Sequence, residues 1–338
     1  MNKINIFFTT IILLSSVIKS QEMVQEFLNG PIKDTEQLIE GYMSPFGKWF
    51  GTGLNAGWYN TAQSHQFPGF DVTGVIHLIQ PPESAMLFTP TLNDLIVNST
   101  NQELSTFIGP PNNTEIGYNN DGEFQTLFNA PGGVINGKDP IPMPYIQGSI
   151  GLIKKTEILF RLTPPVKSQD LQIRYWGIGI KHDIKQWIPG VKILPFDLSV
   201  IAAYSQLNSN LTFNADQDLN FDVNAFNSNL IISKKILGFT PYMGLGYQYS
   251  KSILSLTGEY TILDWNGTDI DPGEIFPISD PIDISFGGVN GLKATLGARL
   301  KLLLFTFHIE WTKAEYDVFT IGIGLNSDIG SKLIGGSL

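Results

Sequence analysis

From Trp49 onward the apolar positions recur every second residue. Leu54, Ala56 and Trp58 fall on one side of the chain, with Asn55, Gly57, Tyr59 and Thr61 on the other. After Gln66-Phe67-Pro68-Gly69, which reads as a turn, Phe70, Val72, Ile76 and Leu78 alternate with Asp71, Thr73 and His77. The pattern is cleanest towards the C-terminus. Leu292, Ala294, Leu296, Ala298 and Leu300 alternate with Lys293, Thr295, Gly297, Arg299 and Lys301. Phe305, Phe307, Ile309 and Trp311 alternate with Thr306, His308, Glu310 and Thr312, and Phe319, Ile321, Ile323 and Leu325 with Thr320, Gly322, Gly324 and Asn326. A period of two is that of a β-strand with different solvents on its two faces.

Twelve such segments are predicted: 49–61, 69–80, 143–153, 156–164, 170–182, 195–206, 218–235, 238–250, 251–262, 285–301, 303–314 and 317–326. Several run nine to twelve residues, the ~9–11 that a tilted strand needs to cross a bilayer, against ~5–6 for an average strand. Aromatics gather at segment ends (Trp49, Phe50, Trp58 and Tyr59; Tyr242, Tyr247 and Tyr249; Trp311 and Tyr316), where an interfacial girdle belongs. A soluble antiparallel sandwich alternates too. An inward row of Lys293, Arg299 and Lys301 would be ruinous in its dry core, however, and suits a wet lumen. The expected fold is therefore all-β: a transmembrane antiparallel barrel of about 12 strands, within a range of 10–14.

Three stretches break the rhythm. Residues 21–48 form the one helical candidate, with Asp34-Thr35-Glu36 as an N-cap, Leu38, Ile39 and Tyr42 as its apolar face, and Pro45 as its stop. It is expected as a short N-terminal helical plug segment that covers an opening of the barrel, which occupies 49–338. Residues 81–142 are a long Pro- and Asn-rich insertion, expected as an outer loop or an inward plug. Residues 264–283 form an acidic, Pro-containing loop.

Composition narrows the setting. Charged residues are only 15% of the 338, and the formal net charge of −10 leaves no basic face for nucleic acid. Lys3, the apolar run Ile4 to Ile18 and the following Lys19-Ser20-Gln21 have the layout of a secretory signal peptide over residues 1–20. The chain has no cysteine, so an exported form cannot rely on disulfides. Among segments that could cross a bilayer, only closed barrels remain once no helix qualifies.

The stretch "GLNAGWYNTAQSHQFPGFDVT" (53–73), preceded by "DTEQLIEGYMSPFGKWFG" (34–51), and the stretch "RYWGIGIKHDIKQWIPGVKILPFDLSVIAAYS" (174–205) carry a resemblance. Together they are similar to a family of uncharacterised exported proteins, predicted outer-membrane β-barrels with a domain of unknown function. The resemblance implies location and architecture, in the outer membrane of a Gram-negative bacterium, with a loose likeness to channels for hydrophobic compounds. It assigns no functional residue. One departure is the tail: outer-membrane barrels usually end on a terminal aromatic, whereas Ser327 to Leu338 follow the last strand here and end in Leu.

Chemistry is sparse. His65, His77, His182 and His308 have no metal-ligand spacing, with His65 and His182 expected in turns. "DWNGTDIDPGE" (264–274) resembles a calcium loop but lacks its terminal bidentate Glu. No G-x-S-x-G elbow exists, and glycine pairs such as Gly177/Gly179, Gly244/Gly246 and Gly322/Gly324 precede no helix, so they serve strand curvature or aromatic packing rather than phosphate. No catalytic residue, metal or cofactor is expected. The candidate binding residues are the lumen-facing His77, Lys293, Arg299, Lys301, His308 and Glu310. The expected function is a passive channel or binding protein for a small hydrophobic or anionic solute, its partner being the outer-membrane bilayer. The alternative is a non-transporting surface scaffold or adhesion barrel working through its loops.

Overall fold

The computed structural model describes residues 27–111, 113–163, 166–167, 171–214, 216–263 and 275–327. The expected export signal, the calcium-like spacing at 264–274 and the tail beyond 327 lie outside these. One helix, α1 (Ile32–Asn55), precedes ten long strands. They are β1 (Phe70–Gln80), β2 (Ile141–Gly151), β3 (Thr156–Leu162), β4 (Leu171–Asp183) and β5 (Asp197–Asn214). Then follow β6 (Gln217–Ser233), β7 (Phe239–Thr257), β8 (Ile282–Leu302), β9 (Phe305–Lys313) and β10 (Asp317–Ser327). Each strand pairs antiparallel with its sequence neighbour, and β10 returns to β1 with Phe70 opposite Ser327 and Gln80 opposite Asp317. The sheet therefore closes, and no edge remains.

Ten strands replace the expected twelve for two reasons. Residues 49–61 are the end of α1 and an extended stretch inside the barrel, buried on both parities almost throughout, so their period of two marks no ladder. Segments 238–250 and 251–262 are largely one continuous strand, β7. The other nine segments stand, and with β7 they make the ten strands. The acidic loop is shorter than expected, because Ile275–Ser279 pairs with Glu259–Leu263 as a hairpin.

The alternation translates directly into two faces. Along β9, Phe305, Phe307, Ile309 and Trp311 are exposed while Thr306, His308, Glu310 and Thr312 are buried. On β7 the exposed residues change from Phe239, Met243, Leu245, Tyr247 and Tyr249 to Lys251. About eleven residues of tilted strand span a belt ~25–28 Å high, close to a bilayer's hydrocarbon thickness. Above the belt the outward pairs become polar: Asn208 Nδ2 donates to Asp222 Oδ1 at 2.7 Å and Asn210 Nδ2 to Asn220 Oδ1 at 2.9 Å. Tyr204, Tyr247, Tyr249, Trp176 and Trp311 are exposed on the outer face. Trp49, Phe50, Trp58, Tyr59, Tyr242 and Tyr316, expected in the same girdle, are buried instead, since their segments face the lumen or the plug.

Two kinds of connection distinguish the ends. At one end lie the 81–140 insertion and the 258–281 hairpin; at the other, the shorter turns 152–155, 184–196, 234–238 and 303–304. Helix α1 starts at the long-loop end and runs down the lumen. Its length corrects the expected stop: Pro45 sits inside it. Proline removes the N–H that would reach Gly41, and beside that gap the insertion's Phe107 N–H donates to Tyr42 O at 3.0 Å. Asp34 is no N-cap either, for the helix begins at Ile32 after Pro31.

Helix and wall touch through small residues. A Cβ added to Gly47 or Gly51 would overlap Ser252 or Ser250 of β7. Gly51→Val should therefore destabilise the folded protein by about 1–3 kcal/mol, read as a lower urea midpoint in detergent, while Gly291→Ala, with open space around it, should leave the midpoint in place.

Candidate functional site

The lumen is occupied by residues 44–66. Helix α1 has no basic residue in its last turn, so its terminal carbonyls, the negative end of the helix dipole, depend on the wall. Arg161 of β3 supplies most of the donors. Its Nη1 donates to Ala56 O at 2.9 Å and Leu54 O at 3.4 Å, and its Nη2 and Nε donate to Gln147 Oε1 at 2.8 and 3.1 Å. The guanidinium lies between two rings, 4.1 Å from the centroid of Trp58 and 4.0 Å from that of Tyr145. From the facing wall, Lys293 Nζ donates to Asn55 O; on Arg161's own side, Ser205 Oγ of β5 adds a bond to Leu54 O at 3.3 Å. Asn55 itself is held at both ends of its amide: Nδ2 donates to Tyr249 O at 3.1 Å, and Oδ1 accepts from Asn227 Nδ2 at 3.3 Å.

Below the helix the chain is extended and stitched to the wall down to the opposite mouth. Trp58 Nε1 donates to Leu54 O at 2.9 Å, and its ring lies over Gly177 and Gly179, where a Cβ would come within 3.0 Å of it. The glycine pair thus makes room for an indole. Ala62 is bonded to Ser233 Oγ and Ser199 Oγ. Lys181 and Glu157 form a buried ion pair at 3.0 Å, and Glu157 also accepts the His65 N–H at 3.1 Å. Burial pushes the Tyr42 and Tyr59 phenols up, so both stay neutral.

At the long-loop end the insertion is a folded cap, not an irregular loop. Ile96–Val97, Glu115–Asn120 and Glu123–Asn129 make a three-stranded sheet, and Leu87–Phe88 pairs with Leu104–Ser105. Its core includes Leu95, Phe107, Ile108, Ile116 and Phe128, continuous with Phe27, Leu38, Ile39 and Tyr42 of the N-terminal segment. Asp34 is the polar anchor. Its carboxylate accepts the backbone N–H groups of Asn93, Asp94 and Leu95 and the Asn93 amide, all at 2.8–2.9 Å.

The six expected lumen residues all sit on the inner face, at two levels. In mid-lumen, Lys293 reaches Asn55, Glu310 Oε2 accepts from Tyr242 at 2.9 Å, and His77 Nδ1 lies 2.8 Å from Thr320 Oγ1. Nearer the short-turn mouth, Arg299 is opposite His308 in the strand register, 4.0 Å from Asp71, and Lys301 donates to Asn326. The wall therefore binds the plug, and the expected wet lumen is filled by the chain's own N-terminal segment. His182, expected in a turn, ends strand β4 and accepts from Trp187 Nε1 at 2.8 Å; His65 lies in the plug beside Asn326. Among the described residues no three His, Asp or Glu converge as metal ligands.

Arg161, Asn55, Trp58, Tyr145 and Asp34 were not singled out from sequence as site residues. A signal for Arg161 existed: in "TEILFRL" Glu157, Leu159 and Arg161 share the face opposite Ile158, Phe160 and Leu162.

Fold and site together define a ten-stranded antiparallel barrel sealed by its own N-terminal helix. The profile of a family of unknown function, DUF6588, matches residues 1–327, and the chain belongs to that family. No curated protein matches it. Among solved structures it is similar to the attachment invasion locus protein Ail of Yersinia pestis, with 9% identity over 77% of this chain and 98% of that one, at a TM-score of 0.27. The translocator domain of the autotransporter NalP from Neisseria meningitidis gives 11%, 77%, 88% and 0.28. The toluene transporter TodX of Pseudomonas putida gives 11%, 81%, 70% and 0.26. Likenesses this distant carry no argument about the present chain, whose barrel rests on its own strand pairing.

Arg161→Ala should cost about 3 kcal/mol, because it takes the donors from Ala56 O and Gln147 Oε1 in a buried site; the drop is read in the denaturation midpoint. Asp34→Ala should leave the barrel's circular dichroism intact while limited proteolysis cuts the 81–140 cap at least several-fold faster.

Proposed function

We propose that this protein is an outer-membrane β-barrel held closed by its own N-terminal segment, and that it works at the cell surface as a scaffold or adhesion barrel through its cap. The observation that carries this reading is the continuous occupation of the lumen from Gly47 to His65, bonded to the wall at every level. The exposed apolar belt supports a bilayer as solvent for the outer face. Residues 1–20 serve as the export signal, and the cap end faces outward, as long loops do in such barrels. The cap and the 258–281 hairpin are strongly acidic: thirteen Asp and Glu against the single Lys138. A partner at this surface is accordingly basic or cation-bridged.

A passive channel for a hydrophobic or anionic solute is the second reading. It requires residues 44–66 to leave the lumen, breaking together the Arg161 and Lys293 contacts and the bonds of Lys181 Nζ to Thr61 O and Gln63 O, so the closed form dominates at equilibrium.

Planar-bilayer recording separates the two. The wild-type protein should stay at lipid background, and Arg161→Ala should show discrete openings. Steady wild-type conductance would replace the scaffold reading with the channel. On intact cells, added protease should cleave within residues 81–140 and leave the barrel uncut.

A further inference from the structure

The short-turn rim combines features that a water-facing set of turns would not. Turns 152–155, 184–196, 234–238 and 303–304 contain six lysines and no carboxylate, in a chain with 31 acidic and 21 basic residues. Their apolar side chains are turned outward. Leu237 and Leu303 are 92% and 91% exposed and Ile193 87%, with Ile153, Trp187 and Leu304 also more than half exposed. Leu237 and Leu303 moreover hold φ values of +57° and +56°. Glycine or asparagine takes that conformation at lower cost than leucine. A greasy residue kept at a strained, exposed position implies an apolar environment that rewards it.

The surroundings say which. The outward apolar rows of β7 and β8 run without interruption into these turns, through Phe239 and through Leu300 and Leu302. The rim therefore sits where a bilayer's hydrocarbon gives way to its headgroups. Lysines flank the apolar residues directly, in Ile153-Lys154-Lys155 and in Lys234-Lys235-Ile236-Leu237. Lys155 is paired with Asp183 at 3.1 Å, and Lys185 donates to the carbonyls of Leu194 and Phe196. Lys154, Lys234 and Lys235 are exposed. Among the described residues the carboxylates at the strand ends bordering the rim are Asp71, Glu157 and Asp183, all buried, and the partly buried Asp197. The opposite end of the barrel carries the acidic cap.

We propose that this rim is a collar for anionic phospholipid: the apolar turn residues enter the leaflet, and Lys154, Lys234 and Lys235 hold the headgroup phosphates of net-negative diacyl lipids. The collar also orients the barrel, because the acidic end is repelled by the same lipids. The inference rests on the membrane reading above and assigns a lipid class to one end of it.

The test reconstitutes the full-length protein in phosphatidylcholine vesicles with trace spin-labelled phosphatidylglycerol or spin-labelled phosphatidylcholine. Electron paramagnetic resonance then gives the fraction of each probe that is motionally restricted at the protein surface. At low salt the phosphatidylglycerol probe should be preferred at least about threefold. The preference should fall towards unity in 0.5 M salt (about a 4 Å screening length) and in the variant Lys154→Gln/Lys234→Gln/Lys235→Gln, with the restricted phosphatidylcholine fraction unchanged. A second variant, Leu237→Asn/Leu303→Asn, relieves the backbone strain, so it should fold at least as stably in detergent yet lose part of the preference. Equal restriction of both probes by the wild-type protein would overturn the collar and leave the membrane reading standing. Absence of any restricted lipid would remove the membrane reading, and the collar with it.

Discussion

The structure depends on how the lower end of one helix is satisfied inside a barrel. A helix ending in solvent leaves its last carbonyls to water; α1 ends among side chains, and water is displaced by Arg161, Lys293, Ser205 and Asn227. Two cations from facing walls meet the negative end of the helix dipole, which offsets part of the cost of burying them. The aromatic faces of Trp58 and Tyr145 take up the remaining surface of the guanidinium. Helix, wall and extended chain are thus one polar unit, and none of the three is satisfied without the others.

Shape follows the same logic. The inner wall uses Ser where the helix approaches, at Ser250 and Ser252, and the helix uses Gly47 and Gly51 in return. Bulk enters where the helix ends and the lumen widens relative to the extended chain. There Trp58 fills the space over Gly177 and Gly179, and Tyr59 packs against Gly244. The upper half is apolar, an aromatic cluster of Phe27, Tyr42, Phe46, Phe107 and Phe128 that joins cap to helix. The lower half is polar. An apolar seal fixes the cap, and a hydrogen-bonded seal fixes the plug.

Charge is divided along the barrel axis in a way that sequence order conceals. The acidic residues of 81–140 and 258–281 converge at one end because both segments connect strands there; the lysines of four separate turns converge at the other. Between them lies a belt with almost no outward charge. The cap and the N-terminal segment entering the helix lie on the same side of that belt.

Read alone, the sequence determined the strands and their faces. The period of two in Leu292–Leu300, Phe305–Trp311 and Phe319–Leu325 is set by two solvents on either side of a pleated ladder, and each of those residues faces as its parity requires. The antiparallel closed sheet and the inward position of His77, Lys293, Arg299, Lys301, His308 and Glu310 follow from the same rule. That an N-terminal segment plugs the barrel was legible too, but how far along the chain the plug extends was not. Residues 49–61 also show alternation, yet they are helix end and extended plug, buried on both parities inside the barrel, where no pair of unlike solvents sets the period. Pro45 reads as a helix stop, yet the helix runs on to Asn55, with the cap's Phe107 N–H bonded to Tyr42 O beside the gap. Arg161 is one polar residue in a strand until the fold brings Ala56, Trp58 and Tyr145 around it. Local periodicity is written in neighbours along the chain; the seal is made by partners that only closure of the barrel brings together.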